Sequence, residues 1–272
     1  MSELMLRAPA PAVTPAEAGW RWLSYRSERV AGSVEIRTGR DEVCLVNLGG
    51  ALAAVTGGAR HSLGDRPSPF ADLPCSLYLP PETACTVEGE GMVGVCAARA
   101  DAGHPVQPIP PEHVRVEVRG SGNATRQINH IIPPEFSAHR LLVVEVLTPG
   151  GNWSSYPPHK HEQERLPVEN DLEEVYAYRF ERPEAFGVQR LYSRTGDLDE
   201  TWTVRDGDVL LVPRGYHPFC SAHGYHGYYL NALAAEQRSM AAEDDPDLAW
   251  TRDTWPTLQR DPRVPLTGEE TP

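Results

Sequence analysis

The chain has 272 residues and carries Lys+Arg 25 against Asp+Glu 38, a formal net charge of −13, with a sequence pI near 5.2. That balance argues against a nucleic-acid binder, whose affinity comes from Lys and Arg on phosphates, and against docking on anionic lipid. Forty per cent hydrophobic residues supply a core, while 23 glycines and 26 prolines exceed the usual combined share of about 12% and predict many short strands joined by turns.

The opening MSELMLRAPAPAVTPAE has no apolar stretch of signal-peptide type, and no later run approaches the ~18 apolar residues of a membrane span. A soluble, cytoplasmic protein is expected. In chain order the predicted strands begin with VCLVNL (43–48), CSLYLP (75–80), GMVGVCAARA (91–100), HVRVEV (113–118) and RLLVVEVL (140–147). They continue with EEVYAYRF (173–180), GVQRLY (187–192), TWTV (201–204), DVLLVP (208–213) and HGYYLNAL (226–233). All are short and rich in β-branched or aromatic residues, and turn clusters such as SRTGDLDE and RDGD separate them. Regular spacing of this kind predicts an all-β sandwich or barrel. A short helix is expected only in the tail after Asn231. The five cysteines, Cys44, Cys75, Cys85, Cys96 and Cys220, form no CxxC pair and read as reduced thiols, most of them in apolar strands.

HPVQPIPPEHV (104–114) is too rich in proline for a central strand and is expected to link two halves, residues 1–110 and 111–272. A weak internal echo suggests duplication: SLYLPPETAC (76–85) can be laid on VLLVPRGYHP (209–218). Leu79-Pro80 then falls on Val212-Pro213, and Ala84 falls opposite His217.

The chemistry gathers in YPPHKHEQERLPVENDLEEVYAYRF and DGDVLLVPRGYHP. On a strand, His159 and His161 share a face and Lys160 takes the other. Glu174 shares parity with Tyr176, Tyr178 and Phe180. Glu173 shares it with Arg179, whose charge is expected to place both on a solvated outer face. Gly215 permits a tight turn that returns His217 over the barrel mouth. Three imidazoles and a carboxylate suit one borderline divalent ion: Zn, Mn, Fe, Co or Ni. Each piece has a bland alternative, HKH as a strand end, Glu174 as a surface acid and His217 as a loop histidine; their order along the chain favours the metal site.

HxH…E followed by Gly207, Pro213, Gly215 and His217 resembles the two motifs of the cupin superfamily. The long gap from His161 to Glu174 and the single residue between Gly215 and His217 depart from most cupins and match one branch. The run RGSGNATRQINHIIPPEF…RLLVVEVLTPGGNWSSYPPHKHE…LEEVYAYRF…DGDVLLVPRGYHP resembles the 5-deoxy-glucuronate isomerase family of myo-inositol catabolism. That family is related to the 5-keto-4-deoxyuronate isomerases. The resemblance implies a bicupin of two jelly-roll β-barrels, with a degenerate N-terminal barrel and a metal-bearing C-terminal barrel. It carries the ligand roles to His159, His161, Glu174 and His217, with one divalent metal (Zn, Mn, Fe or Co) per chain. Tyr178 stands where many relatives are expected to have histidine.

The implied reaction converts 5-deoxy-glucuronate into 2-deoxy-5-keto-gluconate, an aldose–ketose isomerisation of a small uronic acid. Tyr176, Tyr178, His226 and a metal-bound hydroxide are the candidates for proton transfer. Lys160, Arg190 and Arg214 are candidates for the substrate carboxylate, with solvated, outward-facing side chains as the alternative. Gln189 and Tyr229 are expected in the cavity from their mid-strand positions, and Trp153 and Trp202 are expected to be packing aromatics. An Fe(II) cupin dioxygenase and a non-enzymatic sugar- or metal-binding cupin are the competing classes. Association into a homo-oligomer through strand edges stays open.

Overall fold

The computed structural model describes residues 4–10 and 12–271. Its strands begin with β1 (Met5–Leu6), β2 (Leu23–Arg37), β3 (Asp41–Thr56), β4 (Ala59–Arg66), β5 (Ser76–Leu79), β6 (Ala84–Arg99) and β7 (Gln107–Ile109). They continue with β8 (Arg115–Arg119), β9 (Arg126–Ile132), β10 (Leu141–Thr148), β11 (Trp153–Ser154), β12 (His159–Lys160), β13 (Glu162–Arg165) and β14 (Glu169–Asp171). The last are β15 (Glu173–Phe180), β16 (Phe186–Tyr192), β17 (Asp199–Arg205), β18 (Val209–Val212), β19 (Phe219–Ser221), β20 (Gly227–Ala234) and β21 (Glu243–Asp244). No described helix is long and apolar enough to cross a membrane.

One sheet, ordered β2-β6-β3-β5-β7 with β4 on β3, takes the first half. A seven-stranded sheet, β1-β18-β15-β20-β10-β9-β8, faces a four-stranded one, β11-β19-β16-β17, in the second. The path β2-β6-β3-β5-β7 is repeated strand for strand by β10-β20-β15-β18-β1. Register agrees: Leu79 pairs with Val43 as Val212 pairs with Glu174. Val43 pairs with Ala97 as Glu174 pairs with Leu233. The sequence echo that set Leu79 on Val212 thus joins structurally equivalent strands, and it puts Val43 where the second half has Glu174.

The proline-rich segment at 104–114 is more than a spacer, because β7 closes the edge of the first sheet on β5. At the other end of the chain, β1 pairs with β18 and so joins the sheet of the second half. In the tail after Asn231, where a short helix is expected, the structure has a 3-10 helix over Ala249–Thr257.

Alternation along the strands sorts the side chains into separate cores. Val43, Leu45, Leu77, Leu79, Val87, Val93 and Val95 fill an apolar interior in the first half. The equivalent interior of the second half holds Tyr176, Tyr178, Phe180, Val212, Phe219 and Tyr229. The opposite faces of the two large sheets meet each other: Leu23, Cys44, Val46 and Cys96 pack with Val143, Val175, Ala177, Leu211 and Leu230 in one shared cluster. Each such side chain removed from water is worth about 1.5–3 kcal/mol.

Polar clamps lock this joint. Glu173 is buried, 7% exposed, and its carboxylate accepts the backbone N–H groups of Arg21, Trp22 and Leu23 at 2.6, 3.0 and 2.8 Å. The expected solvated position for Glu173 is therefore wrong. Its face of β15 meets the first half of the chain. Glu42 does the same in reverse, accepting from the backbone of His139, Arg140 and Leu141 at 2.7, 2.6 and 2.8 Å. Between them Arg66 reaches across to Glu145 at 2.7 Å, both fully buried. All five cysteines are free, and Cys44, Cys85 and Cys96 are buried.

Candidate metal centre and its cavity

Glu174 is the first inward-facing residue of β15, level with Val212 on one side and Leu233 on the other. β18 ends at Val212, just before Pro213, and Gly215 then takes a left-handed conformation at φ +88°, where a Cβ would lie 2.7 Å from the Tyr192 carbonyl oxygen. Only glycine fits this turn without strain. Paired bonds between Tyr192 and Tyr216, at 2.9 and 2.8 Å, hold the turn and leave His217 fully buried. The long interval between His161 and Glu174 is a hairpin, β13–β14, which leaves and returns so that Leu172 and His161 bond through N–H and carbonyl at 3.1 Å.

The ligand atoms of His161, Glu174 and His217 lie within 4.8 Å of one another. His161 Nε2 is 2.8 Å and His217 Nε2 3.4 Å from the same Glu174 oxygen. Two donors sharing one ion at ~2.1 Å stand about 3.0–3.4 Å apart; the His217–Glu174 spacing matches this, and the 2.8 Å His161–Glu174 contact is a hydrogen bond a few tenths of an ångström shorter. The partners of the other ring nitrogens agree. His217 Nδ1 donates to the Gly215 carbonyl at 2.9 Å, and His161 Nδ1 to that of Leu172 at 3.2 Å. His217 Nε2 is thereby left with its lone pair toward the centre, while His161 Nε2 faces the Glu174 carboxylate at 2.8 Å and would present its lone pair once a cation replaces the proton between them. His217 Nε2 is buried and, although 3.4 Å from Glu174, makes no hydrogen bond among the described residues, an orphan that a cation would satisfy.

Burial pushes the His217 pKa down to about 4 despite the neighbouring Glu174. Burial would lower His161 too, but the Glu174 carboxylate outweighs it and holds it above the ordinary range. His159 stands outside the trio, its ring 4.9 Å from that of His217 and 6.4 Å from that of His161, centroid to centroid. Desolvation and the two neighbouring imidazoles hold its pKa well below normal, so it is neutral and able to act as a ligand.

These groups open into a cavity of about 370 Å³ lined by His159, His161, Glu174, Tyr176, Tyr229 and Arg126, among others, within the usual range of about 300–1,000 Å³ for small-molecule sites. Tyr176 bonds Ser155 Oγ at 2.9 Å, and Tyr229 donates to Ser154 Oγ at 3.0 Å. Desolvation raises both phenols, Tyr176 far above its ordinary pKa, so both keep their protons.

Other expected residues are elsewhere. Tyr178 does not line the cavity; its hydroxyl donates to Gln189 at 2.9 Å. Gln189 is buried behind it and donates to the His217 carbonyl at 2.7 Å, which supports the loop and leaves nothing for substrate. Lys160 points to the opposite side of its strand and pairs with Glu169 at 2.8 Å. Arg190 pairs with Asp199 at 2.8 Å and Arg214 with Asp197 at 2.7 Å, all at the surface. His226 accepts from Gly150 N–H at 3.3 Å and is likewise outside the cavity. Trp153 packs on Tyr156 at 5.6 Å, and Trp202 is partly buried against the second-half core. The cavity's cations are instead Arg115, Arg119, Arg126 and Arg252. For Arg115 and Arg119 the hint in the sequence is the polar alternation in RVEVR; Arg126, in RQINH, and Arg252 have none.

This is a nearly all-β chain with a buried imidazole–carboxylate trio, a group that could hold a cation, at the end of a polar, aromatic-walled cavity of small-molecule size. The KduI/IolB family model matches residues 7–251, and the chain belongs to that family. The 5-deoxy-glucuronate isomerase of Geobacillus kaustophilus (strain HTA426) is 40% identical over 267 residues, covering 93% of this chain and 97% of that protein. The 5-deoxy-glucuronate isomerase of Bacillus subtilis (strain 168) is 37% identical over 216 residues, covering 78% and 80%. The crystal structure of an IolB-like protein from Salmonella typhimurium LT2 superposes with a TM-score of 0.88 at 34% identity, over 92% of this chain and 99% of that one. A Bacillus subtilis oxalate decarboxylase mutant superposes with a TM-score of 0.58 at 11% identity, covering 92% and 82%, a likeness of fold alone.

Proposed function

We propose that the chain isomerises 5-deoxy-D-glucuronate to 2-deoxy-5-keto-D-gluconate in the cytoplasm, with one divalent ion (Zn, Mn, Fe or Co) held by His159, His161, Glu174 and His217. The observation that carries the reading is the buried trio with the partnerless Nε2 of His217, in a chain whose full-length relatives bear that isomerase name. We infer further that residues 1–110 and 111–272 make the two jelly-roll barrels of a bicupin, apart from β1, which joins the sheet of the second. Their repeated strand order supports this, and the apolar interior around Val43 marks the first as the degenerate copy.

The reaction moves a hydrogen between the aldehyde carbon and the neighbouring hydroxyl-bearing carbon, with no net oxidation. When bound, a divalent ion here supplies Lewis-acid polarisation of the carbonyl and adjacent hydroxyl oxygens. His161 and His217, fixed through Nδ1 to backbone carbonyls, present their Nε2 atoms without reorganisation. Tyr176, protonated and held by Ser155, offers an O–H to a substrate oxygen, and Tyr229 stands beside it with ring centroids 4.5 Å apart.

Two histidines and one glutamate are also the donor set of non-haem Fe(II) oxygenases, and His159 standing outside the trio favours that second reading. Turnover of 5-deoxy-glucuronate followed by NMR, with an oxygen electrode in the same solution, separates the two. Conversion without oxygen uptake is expected. Oxygen consumption coupled to substrate loss, or no conversion at all, would overturn the isomerase reading.

A further inference from the structure

A uronate presents two ends to its enzyme, an aldehyde and a carboxylate. The trio accounts for the first, while none of Lys160, Arg190 and Arg214 reaches the cavity. Of the four arginines that do, Arg119 is chelated by Glu117 at 2.6 and 2.9 Å and Arg115 leans on the same carboxylate at 3.8 Å. Arg252 is paired with Asp244. Arg126 differs from these. It is 3% exposed and forms no ion pair with any described residue. Its Nη1 donates to the carbonyls of Ala124 and Tyr156 at 3.0 and 3.1 Å, leaving Nε and Nη2 unengaged. A buried guanidinium without an anion is costly to the fold. Desolvation, and the repulsion of Arg119 after it, lower its pKa to about 10, so it remains charged at neutral pH.

A second unsatisfied group shares this wall. His130 lies on the same face of β9 as Arg126, and its Nδ1 is buried without a partner, while its Nε2 is taken by Glu117 at 2.9 Å. β9 is separated from β15, which bears Glu174, by β10 and β20. The two unsatisfied ends of the cavity are therefore set across the sheet from each other. Resting on the isomerase reading, we propose that Arg126 binds the substrate carboxylate through its free Nε and Nη2, a bidentate pairing that points the aldehyde at the trio. His130 Nδ1 then serves a neighbouring hydroxyl of the sugar.

The test compares 5-deoxy-glucuronate with 5-deoxy-glucose, its neutral counterpart, on the metal-loaded protein. The wild type is expected to prefer the acid by about 100-fold in kcat/KM. Arg126→Ala should raise KM for the acid about 30-fold, the scale of a lost charged hydrogen-bond pair, and leave metal content and the rate on the neutral sugar unchanged. Arg126→Lys, which keeps charge and loses the fork, should fall between, and it decides the question if the alanine variant does not fold. A wild type active on the acid whose preference survives both substitutions, or whose two rates fall together, overturns the assignment. A wild type that converts neither sugar overturns the isomerase reading itself and the assignment with it.

Discussion

Glu173 and Glu174 are consecutive carboxylates with opposite tasks. Their opposite directions follow from the pleat and are legible in the sequence, as is the inward set of Glu174, Tyr176 and Tyr178. What lies beyond the outward face is not legible, because the backbone that Glu173 accepts from is 150 to 152 residues away. Glu174→Gln is expected to weaken the metal by at least about 10-fold, on the order of 1.4 kcal/mol, with little change in unfolding; metal titration followed by thermal denaturation reads both. Glu173→Gln should do the reverse. It replaces one accepting oxygen with an NH2 that faces one or two of the three backbone donors, and costs about 1–3 kcal/mol of stability, with metal content intact. Arg126 is hidden in the sequence for a related reason: Arg115 and Arg119 have Glu117 two residues away on their own strand, but whether a carboxylate reaches Arg126 is decided by the segments packed around β9, which nothing local reveals.

At the scale of elements, the motif Pro213–Gly215–His217 is readable because each residue has a backbone reason to be there. Gly215→Ala forces a Cβ to within 2.7 Å of a carbonyl at φ +88°, strain of about 1–3 kcal/mol. The turn should relax and carry His217 off the centre, so the variant is expected to fold with a lowered melting temperature and lose metal in elemental analysis. Unchanged metal content would show that β18 and β19 alone position His217. The long His161–Glu174 interval is visible as a departure from the usual spacing, but its cause, a hairpin tied by Lys160, Glu169 and Arg165, is not. Lys160 and Gln189, which stand out in the sequence by charge and position, brace that hairpin and the His217 loop.

For the whole molecule, a ten-residue echo points to the right pair of strands because the register of β5 on β3 repeats that of β18 on β15. The joint between the halves is invisible in the sequence, since both its faces read as ordinary strand interiors. Glu42 and Glu173 clamp it reciprocally, and the shared core spans it, so urea unfolding is expected to be a single transition seen alike by tryptophan fluorescence and circular dichroism. Arg66→Met, which strands Glu145 in the joint, should cost about 3–5 kcal/mol. Two separated wild-type transitions would show the halves to be independent. Val43 and Ala84 in place of Glu174 and His217 lead to an expectation of one metal per chain.

The most direct measurement is the rate at which 5-deoxy-glucuronate becomes 2-deoxy-5-keto-gluconate, followed by NMR on protein stripped with a chelator and then reloaded with Mn, Zn, Co or Fe(II). Loss of turnover on stripping and its return at one equivalent of metal, in wild type but not in His217→Ala, is the expected result. Full turnover by rigorously metal-free protein, or an active His217→Ala variant, would contradict the assignment of the chemistry to this centre.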